Sequence, residues 1–187
     1  MSLPLFGGGP LDLRPESRGA VIEGPYRYLL WRCWSRNPPL GWVMLNPSTA
    51  DGQVDDPTVR RCIGFAKREG AGGILVANLW AWRARFPFEL RGVGDPVGPR
   101  NDDHVRLVGA SCRRVICAWG ALGWGRDRVA QVVPLLEAET LALGYTKEGD
   151  PRHPLMVRAD AELLAFPRDQ DQRAGIPSSR RAPQSGQ

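Results

Sequence analysis

Three side chains that could do chemistry follow apolar stretches of the sequence: Asn46, Asn78 and His153. Asn46 is followed by Pro47, which stiffens the turn and contributes no N–H. The Asn46 amide therefore offers a donor and an acceptor from a rigid position, and it could orient a water molecule or bind a carbonyl group. The alternative is a turn in which the Asn46 side chain only satisfies its own backbone.

Asn78 ends the apolar segment ILVAN, and His153 lies in a polar loop between Arg152 and Pro154. Buried polar groups need hydrogen-bonding partners. The Asn78 amide could therefore pair with the edge of a nucleic-acid base, or else tie down the loop that follows it. The loop around His153 has no apolar face in which an imidazole could be buried, and this favours a functional role. The second histidine, His104, is predicted to lie on a solvated helix start.

Patterns typical of several other chemistries are missing from the sequence. There is no G-x-S-x-G nucleophile turn and no GxxxxGK phosphate-binding loop. The four cysteines form no C-x-x-C pair and the two histidines are far apart, so only carboxylates such as Asp51, Asp55 and Asp56 are left for a hard cation such as Mg²⁺. Neither a metal ion nor another cofactor is expected. Asp51 could act as a base, but a hydrogen bond within its own loop is the favoured interpretation.

The composition admits a nucleic-acid partner. The chain has 187 residues, a net charge of +5 and a pI near 9.4, and 23 of its 25 basic residues are arginine. Arginine suits phosphate recognition, although a coding bias toward arginine is the alternative. No apolar run approaches the roughly 18 residues of a membrane span, and the first residues lack a secretory signal pattern. We expect a cytoplasmic monomer with reduced, buried thiols and no membrane partner.

Composition also divides the chain into three parts. Residues 1–19 are predicted to form an irregular arm, and residues 20–166 a single domain without internal repeats. Residues 167–187 carry four Arg, two Asp and one large aliphatic residue, too little apolar surface to order a segment. We therefore expect a disordered basic tail.

Within the domain, apolar strand patterns alternate with helix patterns. A hairpin is predicted from strands 26–34 and 40–45, and further buried strands at 74–80, 113–120 and 140–146. Predicted helices begin after the N-cap residue Asp56, at about 102–110, before Pro134 and at about 159–164. This alternation predicts an α/β fold with a mostly parallel sheet covered on both faces. Ligands of such sheets bind outside the carboxyl ends of the strands, where Asn46, Asn78 and His153 stand.

The segment VMLNPSTADGQVDDPTVRRCIGF, followed in order by ILVANLWAWRA, DPVGPRNDDH, AWG and PRHPL, resembles a bacterial and phage domain family of unknown function over residues 26–166. The order of motifs is also similar, more remotely, to the uracil-DNA glycosylase superfamily. That resemblance implies a three-layer α/β/α sandwich. Its sheet would be short, four-stranded and mostly parallel, with an added N-terminal antiparallel hairpin strand.

Four matches carry the remote resemblance. Asn46-Pro47 stands where mismatch-specific glycosylases have G-I-N-P-G, and GILVAN, ending at Asn78, is similar to GVLLLN. VICAWGA (115–121) is similar to VFLLWG, and His153-Pro154 falls where the superfamily has H-P-S-P-L. The chain departs from these patterns at Met44 and Ser48, which replace two glycines, and at Leu155, which follows Pro154 directly.

The resemblance implies a DNA glycosylase-type enzyme that hydrolyses the N-glycosidic bond of uracil or another damaged base. Asn46 would position the water, Asn46, Pro47, Ser48 and Asn78 would bind the base, and His153 would stabilise the departing base. Single-stranded or mismatched DNA would be the partner, with Leu155 as a wedge. Three arginines would contact phosphates: Arg60, Arg61 and Arg152. The alternative interpretation is that each is an ordinary solvated surface charge. The alternatives are a non-catalytic module that binds a modified base or nucleotide, and a hydrolase or transferase of free nucleotides.

Overall fold

Seven strands form one mixed sheet in the computed structural model, which describes residues 13–48 and 50–168. The strands are β1 (Arg18–Glu23), β2 (Tyr26–Cys33), β3 (Leu40–Met44), β4 (Gly73–Asn78), β5 (Arg114–Cys117), β6 (Glu139–Ala142) and β7 (Leu164–Ala165). Their order across the sheet is β1-β2-β4-β3-β5-β6-β7. The predicted α/β class is confirmed, but the sheet has seven strands and not the predicted four with one added strand.

The four central strands β4, β3, β5 and β6 are parallel, and antiparallel strands flank them on both sides. The central strands are buried on both faces, as their continuous apolar sequences predict. The two outermost strands were missed for local reasons. β1 begins with the pattern RGAVIE inside a Gly- and Pro-rich region, and β7 has only two residues.

The predicted hairpin between segments 26–34 and 40–45 is wrong. Strand β2 pairs antiparallel with β4, with Leu30 opposite Val76, and with β1 on its other side. Strand β4 thus separates β2 from β3, which lies parallel to β4 with Trp42 opposite Val76. The apolar pattern of β3 predicts a central strand that is buried on both faces and paired on both edges. It does not predict which strands pair with it.

In the part of the chain that the structure describes, three α-helices connect the strands: α1 (Pro57–Arg68), α2 (Asn101–Ser111) and α3 (Arg126–Val132). Asp56 caps α1 through a 2.8 Å hydrogen bond from the Val59 N–H to its carboxylate, as predicted. Pro134 ends α3, and a 3-10 turn follows. No helix forms at 159–164, where the chain instead enters β7. None of the described helices is long and apolar enough to cross a membrane.

The sheet separates two hydrophobic cores because alternate residues of each strand point to opposite faces. Trp42 and Val76 pack with α1 on one face, whereas Val43 and Leu75 pack with α2 and α3 on the other. Phe166, just after β7, joins the second core by contacting the rings of two of its residues, Trp119 and Tyr145. Helices therefore cover both faces of the sheet.

The order of the central strands creates a crevice at one edge of the sheet. The chain moves from β3 to β4 through α1, and then crosses to the opposite side of β3 to form β5. The direction of winding therefore changes at β3, and such a switch point is where open α/β sheets bind ligands. The predicted arm and tail fall mostly on residues outside the described ranges and stay predictions.

Two glycines near α1 should respond to alanine in opposite directions. A Cβ at Gly72 would lie 2.1 Å from the Asn37 carbonyl oxygen, so Gly72→Ala should lower the free energy of unfolding by about 1–3 kcal/mol. Gly64 lies exposed within α1 with no atom near its missing Cβ, so Gly64→Ala should raise that free energy by about 0.5–1 kcal/mol. Urea unfolding of both variants measures this, and equal effects would contradict the described packing of the segment before β4.

Candidate functional site

A cavity of about 340 Å³ opens at the carboxyl ends of β3, β4 and β5. Asn46, Ser48, Asn78 and His153 all line it, so the three side chains that the sequence singled out lie around one space. Met44 and Trp119 supply apolar wall. The volume falls in the range typical of sites for small ligands.

The Asn46 side chain joins the segments that follow β3 and β4. Its Nδ2 donates hydrogen bonds to the Ala84 carbonyl at 2.8 Å and to the Pro47 carbonyl at 3.0 Å. The Ala84 N–H in turn donates to the Pro47 carbonyl at 3.0 Å. Since these bonds use both hydrogens of Nδ2, the group of Asn46 left for a ligand or a water is the acceptor Oδ1.

Asn78 is buried at the end of β4, with hydrogen bonds to its side chain and to its backbone. Nη2 of Arg27 donates to Asn78 Oδ1 at 3.4 Å, and the Asn101 amide donates to the Asn78 carbonyl at 3.0 Å. The Asn78 Nδ2 group donates to none of the described residues. The Asn78 amide is therefore oriented with its carbonyl toward Arg27, and its donor group is left for a ligand.

Arg27 is a buried cation in the cavity wall, and it was missed in the sequence. Only 4% of the residue is exposed, Nη1 donates to the Ala50 carbonyl at 2.8 Å, and Nε has no hydrogen-bond partner among the described residues. No carboxylate of the described residues lies within ion-pair distance of the guanidinium. Burial lowers the pKa of Arg27 to about 10, which still leaves it charged at neutral pH. Because buried charges are normally paired, this cation favours an electron-rich ligand.

Asp56 adds the only carboxylate among the described residues that line the cavity. One oxygen, Oδ1, accepts the N-cap hydrogen bond from Val59, while Oδ2 accepts none from the described residues. The sequence pattern identified Asp56 as the helix cap, and the cap geometry is also what holds its second oxygen in place. The site therefore contains a carboxylate oxygen available as a hydrogen-bond or proton acceptor.

His153 is half-buried at the cavity edge with a defined tautomer. Its Nδ1 accepts a hydrogen bond from the Leu155 N–H at 3.3 Å, so the neutral ring carries its proton on Nε2. Burial lowers the pKa of His153 below its usual range, and the nearby Asp56 carboxylate partly offsets that effect. The imidazole is therefore a neutral N–H donor at pH 7.

Two contacts hold the His153 loop in place. Gly120 has φ of +81°, its N–H donates to the Pro151 carbonyl, and a Cβ there would lie 3.4 Å from that of His153. Arg61 of α1 donates to the carbonyls of Pro154 and Val157 at 3.3 and 2.6 Å. Glycine at position 120 thus permits the close turn, and Arg61 ties the loop to α1.

The residues predicted to contact DNA lie outside the cavity lining. Arg60 donates to the Asp55 carbonyl and Arg152 to the Tyr145 carbonyl, while Arg61 is engaged with the His153 loop. Leu155 is 47% exposed next to His153. Pro47, predicted to bind the base, is buried and is not among the residues that line the cavity. The arginines that do line the cavity are Arg27 and Arg85, so the three predicted arginines do not surround it.

Asp51 and His104 contact neighbouring parts of the fold and do not line the cavity. Asp51 accepts hydrogen bonds from the Gln53 and Val54 N–H groups at 2.8 Å, as the loop interpretation predicts, and these bonds lower its pKa. The predicted solvated position of His104 is wrong: the ring is buried and stacks on Tyr28 at 5.1 Å. Helix position alone did not reveal that the first turn of α2 packs against β2.

The described part of the chain contains buried thiols and no cluster of metal-binding side chains. All four cysteines fall within the described ranges, where each is buried and outside any disulfide, and burial raises the pKa of Cys62 and Cys112. Over residues 13–48 and 50–168, no cluster of three His, Cys, Asp or Glu side chains could hold a metal ion.

Sequence reasoning missed two buried polar residues, Arg27 and Asn101, and for Arg27 the sequence carries a signal. Arg27 is one of two charged residues, with Arg32, inside a strand pattern that is otherwise apolar and aromatic. Asn101 follows Arg100 at the start of a helix whose first residues are polar. The structure buries both, with Asn101 completely inaccessible. A charged side chain in a buried strand must find hydrogen bonds, so its position in YRYLLWRCW was a signal for a site.

Both histidines should titrate below pH 6.5 in the folded chain, because burial lowers the pKa of His104 and of His153. The unfolded chain then binds protons near pH 6.5 that the folded chain does not. Folding stability should therefore fall as the pH falls through about 6.5 and on toward the folded pKa values. Imidazole NMR titration measures each pKa, and His153→Gln should remove the His153 share of the stability loss. A folded pKa at or above 6.5 would contradict the described burial.

The chain matches one family model, described as "Protein of unknown function (DUF1643)", over residues 27–155. This range begins at Arg27 and includes Asn46, Asn78 and His153. Searches of curated proteins and of solved structures found no significant match. Since the matched range covers more than half of the chain, the protein belongs to this family of unknown function.

Proposed function

We propose that the chain is a DNA glycosylase-type enzyme that hydrolyses the N-glycosidic bond of uracil or another damaged or modified base. The observation that carries this proposal is the meeting of Asn46, Asn78 and His153 around one cavity at the switch point of the sheet. A base can reach such a cavity only when it is flipped out of its stack. The remote resemblance to the uracil-DNA glycosylase superfamily supports the same chemistry.

Asn46 would position the attacking water. Its Nδ2 is held by the Ala84 and Pro47 carbonyls, so its Oδ1 has a fixed place and can accept a hydrogen bond from water. That bond would leave an oxygen lone pair of the water free to form a bond with C1′ of the sugar. Asp56, whose Oδ2 is unbonded to the described residues, would accept the proton that the water loses. Fixing the water in this way lowers the entropic part of the barrier.

Donor groups would stabilise the departing base. When the bond between C1′ and the base nitrogen breaks, its electron pair leaves with the base, which becomes negatively charged before it takes up a proton. The Nε2–H of His153, the Nδ2 of Asn78 and the charge of Arg27 all lie at the cavity. Fixed donors and charges are most effective where such charge develops, because they need no reorganisation.

Two exposed apolar side chains follow His153 and the buried Pro154. Leu155 and Met156, in the 3-10 helix Pro154–Met156, are 47% and 71% exposed. Hydrophobic side chains that enter a duplex fill the space of a displaced base and offset its unstacking. We assign Leu155 to that role, and phosphate contacts to the exposed side chains of Arg60 and Arg152.

The activity should depend on Asn46 and His153. The protein is incubated with oligonucleotides that carry uracil, hypoxanthine or mismatched thymine, and abasic sites are detected as alkali-labile breaks. Asn46→Ala and His153→Ala should each lower turnover by about 100-fold or more, the effect of removing one fixed polar group from such a site. Asn37→Ala is the matched control, because the Asn37 amide donates to the Gly70 carbonyl far from the cavity.

The outcomes of this assay, together with measurements of oligonucleotide binding and thermal unfolding, separate the proposal from its alternatives. Absence of cleavage on all three substrates at enzyme excess would overturn the uracil-type activity. Affinity for oligonucleotides without any product would indicate a non-catalytic binding module. Stabilisation by free nucleotides or nucleosides in thermal unfolding would instead indicate an enzyme of free nucleotides. Full activity in both site variants would show that the roles are assigned to the wrong residues.

Arg27 should affect turnover through its charge. Arg27→Met keeps an unbranched side chain but removes the cation, and it should lower the rate of base release by about 10-fold or more if Arg27 stabilises the departing base. Arg27→Lys keeps the charge and should retain more activity than Arg27→Met. Arg106→Met, on an exposed turn of α2, is the control for loss of one arginine. Equal activity of the methionine and lysine variants, with both folded, would contradict the electrostatic role.

A further inference from the structure

Two exposed phenylalanines lie next to the cavity and have no role in the proposed chemistry. Phe86 is 48% exposed and Phe88 is 67% exposed, although large apolar side chains are usually buried. Their rings stack on each other, with centroids 5.6 Å apart and an angle of 11° between the ring planes. The guanidinium of Arg85 lies over the Phe86 ring at 5.4 Å. We call Arg85, Phe86 and Phe88 the aromatic platform.

The aromatic platform is held between two anchored positions. Ala84, immediately before it, is buried and takes part in the hydrogen bonds with Asn46 and Pro47. Leu90, in the 3-10 helix Pro87–Gly92, is 1% exposed in the core. The two rings are therefore exposed although the residues on either side of them, Ala84 and Leu90, are buried and hold the segment in place.

The charges around the platform favour a polyanion. Arg83 and Arg85 are exposed, and neither pairs with a carboxylate among the described residues. Other surface arginines, such as Arg68 and Arg114, do form ion pairs. Arg85 and Pro87 also line the cavity, so the platform is continuous with its mouth. Aromatic rings interleaved with unpaired arginines suit a strand whose bases stack and whose phosphates bind the cations.

We propose that the aromatic platform binds single-stranded nucleic acid, with an unpaired base stacking on Phe88 and adjacent phosphates contacting Arg83 and Arg85. The stacked base would belong to a nucleotide that flanks the one whose base enters the cavity. The placement of the stacked base beside a base in the cavity rests on the proposed function, whereas binding of an unmodified single strand does not. A duplex keeps its bases stacked on each other and offers no free base face to the platform.

Fluorescence anisotropy with a labelled, unmodified oligothymidylate of ten nucleotides tests the platform without any catalysis. Phe88→Ala should weaken binding by about 5- to 150-fold, which corresponds to the roughly 1–3 kcal/mol of one base–aromatic stack. Phe88→Trp should retain the affinity and add tryptophan quenching on binding. Leu164→Ala, which removes an exposed apolar side chain from strand β7, is the matched control and should bind as the unaltered chain does.

Salt dependence tests the phosphate contacts. Affinity should fall as salt rises, and Arg85→Gln should reduce the slope of log affinity against log salt concentration by about 0.7 if Arg85 contacts one phosphate. Undetectable binding of the unaltered chain, tighter binding to a matched duplex, or equal affinity of Phe88→Ala and Leu164→Ala would each overturn the proposal. Platform-dependent binding without base release would thus contradict the glycosylase and leave the platform standing.

Discussion

The buried charge of Arg27 is the constraint around which this edge of the sheet is built. Removing a guanidinium from water costs free energy. The two acceptors to which Arg27 donates hydrogen bonds, the Ala50 carbonyl and Asn78 Oδ1, are both neutral. The first bond fixes the loop after β3 and the second fixes the amide at the end of β4. Arg27 therefore supplies the positive charge of the site and also fixes the Ala50 loop and the Asn78 amide.

The rest of the site is arranged by loops that support one another. The Asn46 amide connects the segment after β3 to Ala84, Asn101 holds the end of β4, and Arg61 holds the His153 loop. Each of these groups uses its hydrogen-bonding capacity on backbone carbonyls. What remains for a ligand is a set of single, directed groups at the carboxyl ends of the parallel central strands. Fixed groups of this kind are what the proposed hydrolysis would use.

Local sequence signals predicted the parts of the fold that depend on neighbouring residues, namely the cap at Asp56, the helix α2 and the buried central strands. The general rule on strand ends also led from separate segments to Asn46, Asn78 and His153. Strand neighbours were not predictable in the same way, because β4 inserts between β2 and β3 through contacts distant in sequence. Arg27 was missed because its signal, a charge in an apolar strand pattern, is shared with Arg32, and only the structure shows which of the two lines the cavity.

Phe166 links the far end of the described domain to the cavity. Its ring meets Trp119, a cavity-wall residue, edge to face at 5.3 Å, and its carbonyl accepts a hydrogen bond from the Thr140 hydroxyl. Its backbone N–H also donates to the Thr140 carbonyl, so the residue is fixed on both sides. The useful C-terminal limit of a shortened protein therefore lies after Phe166, because cutting before it would remove the support behind one wall of the cavity.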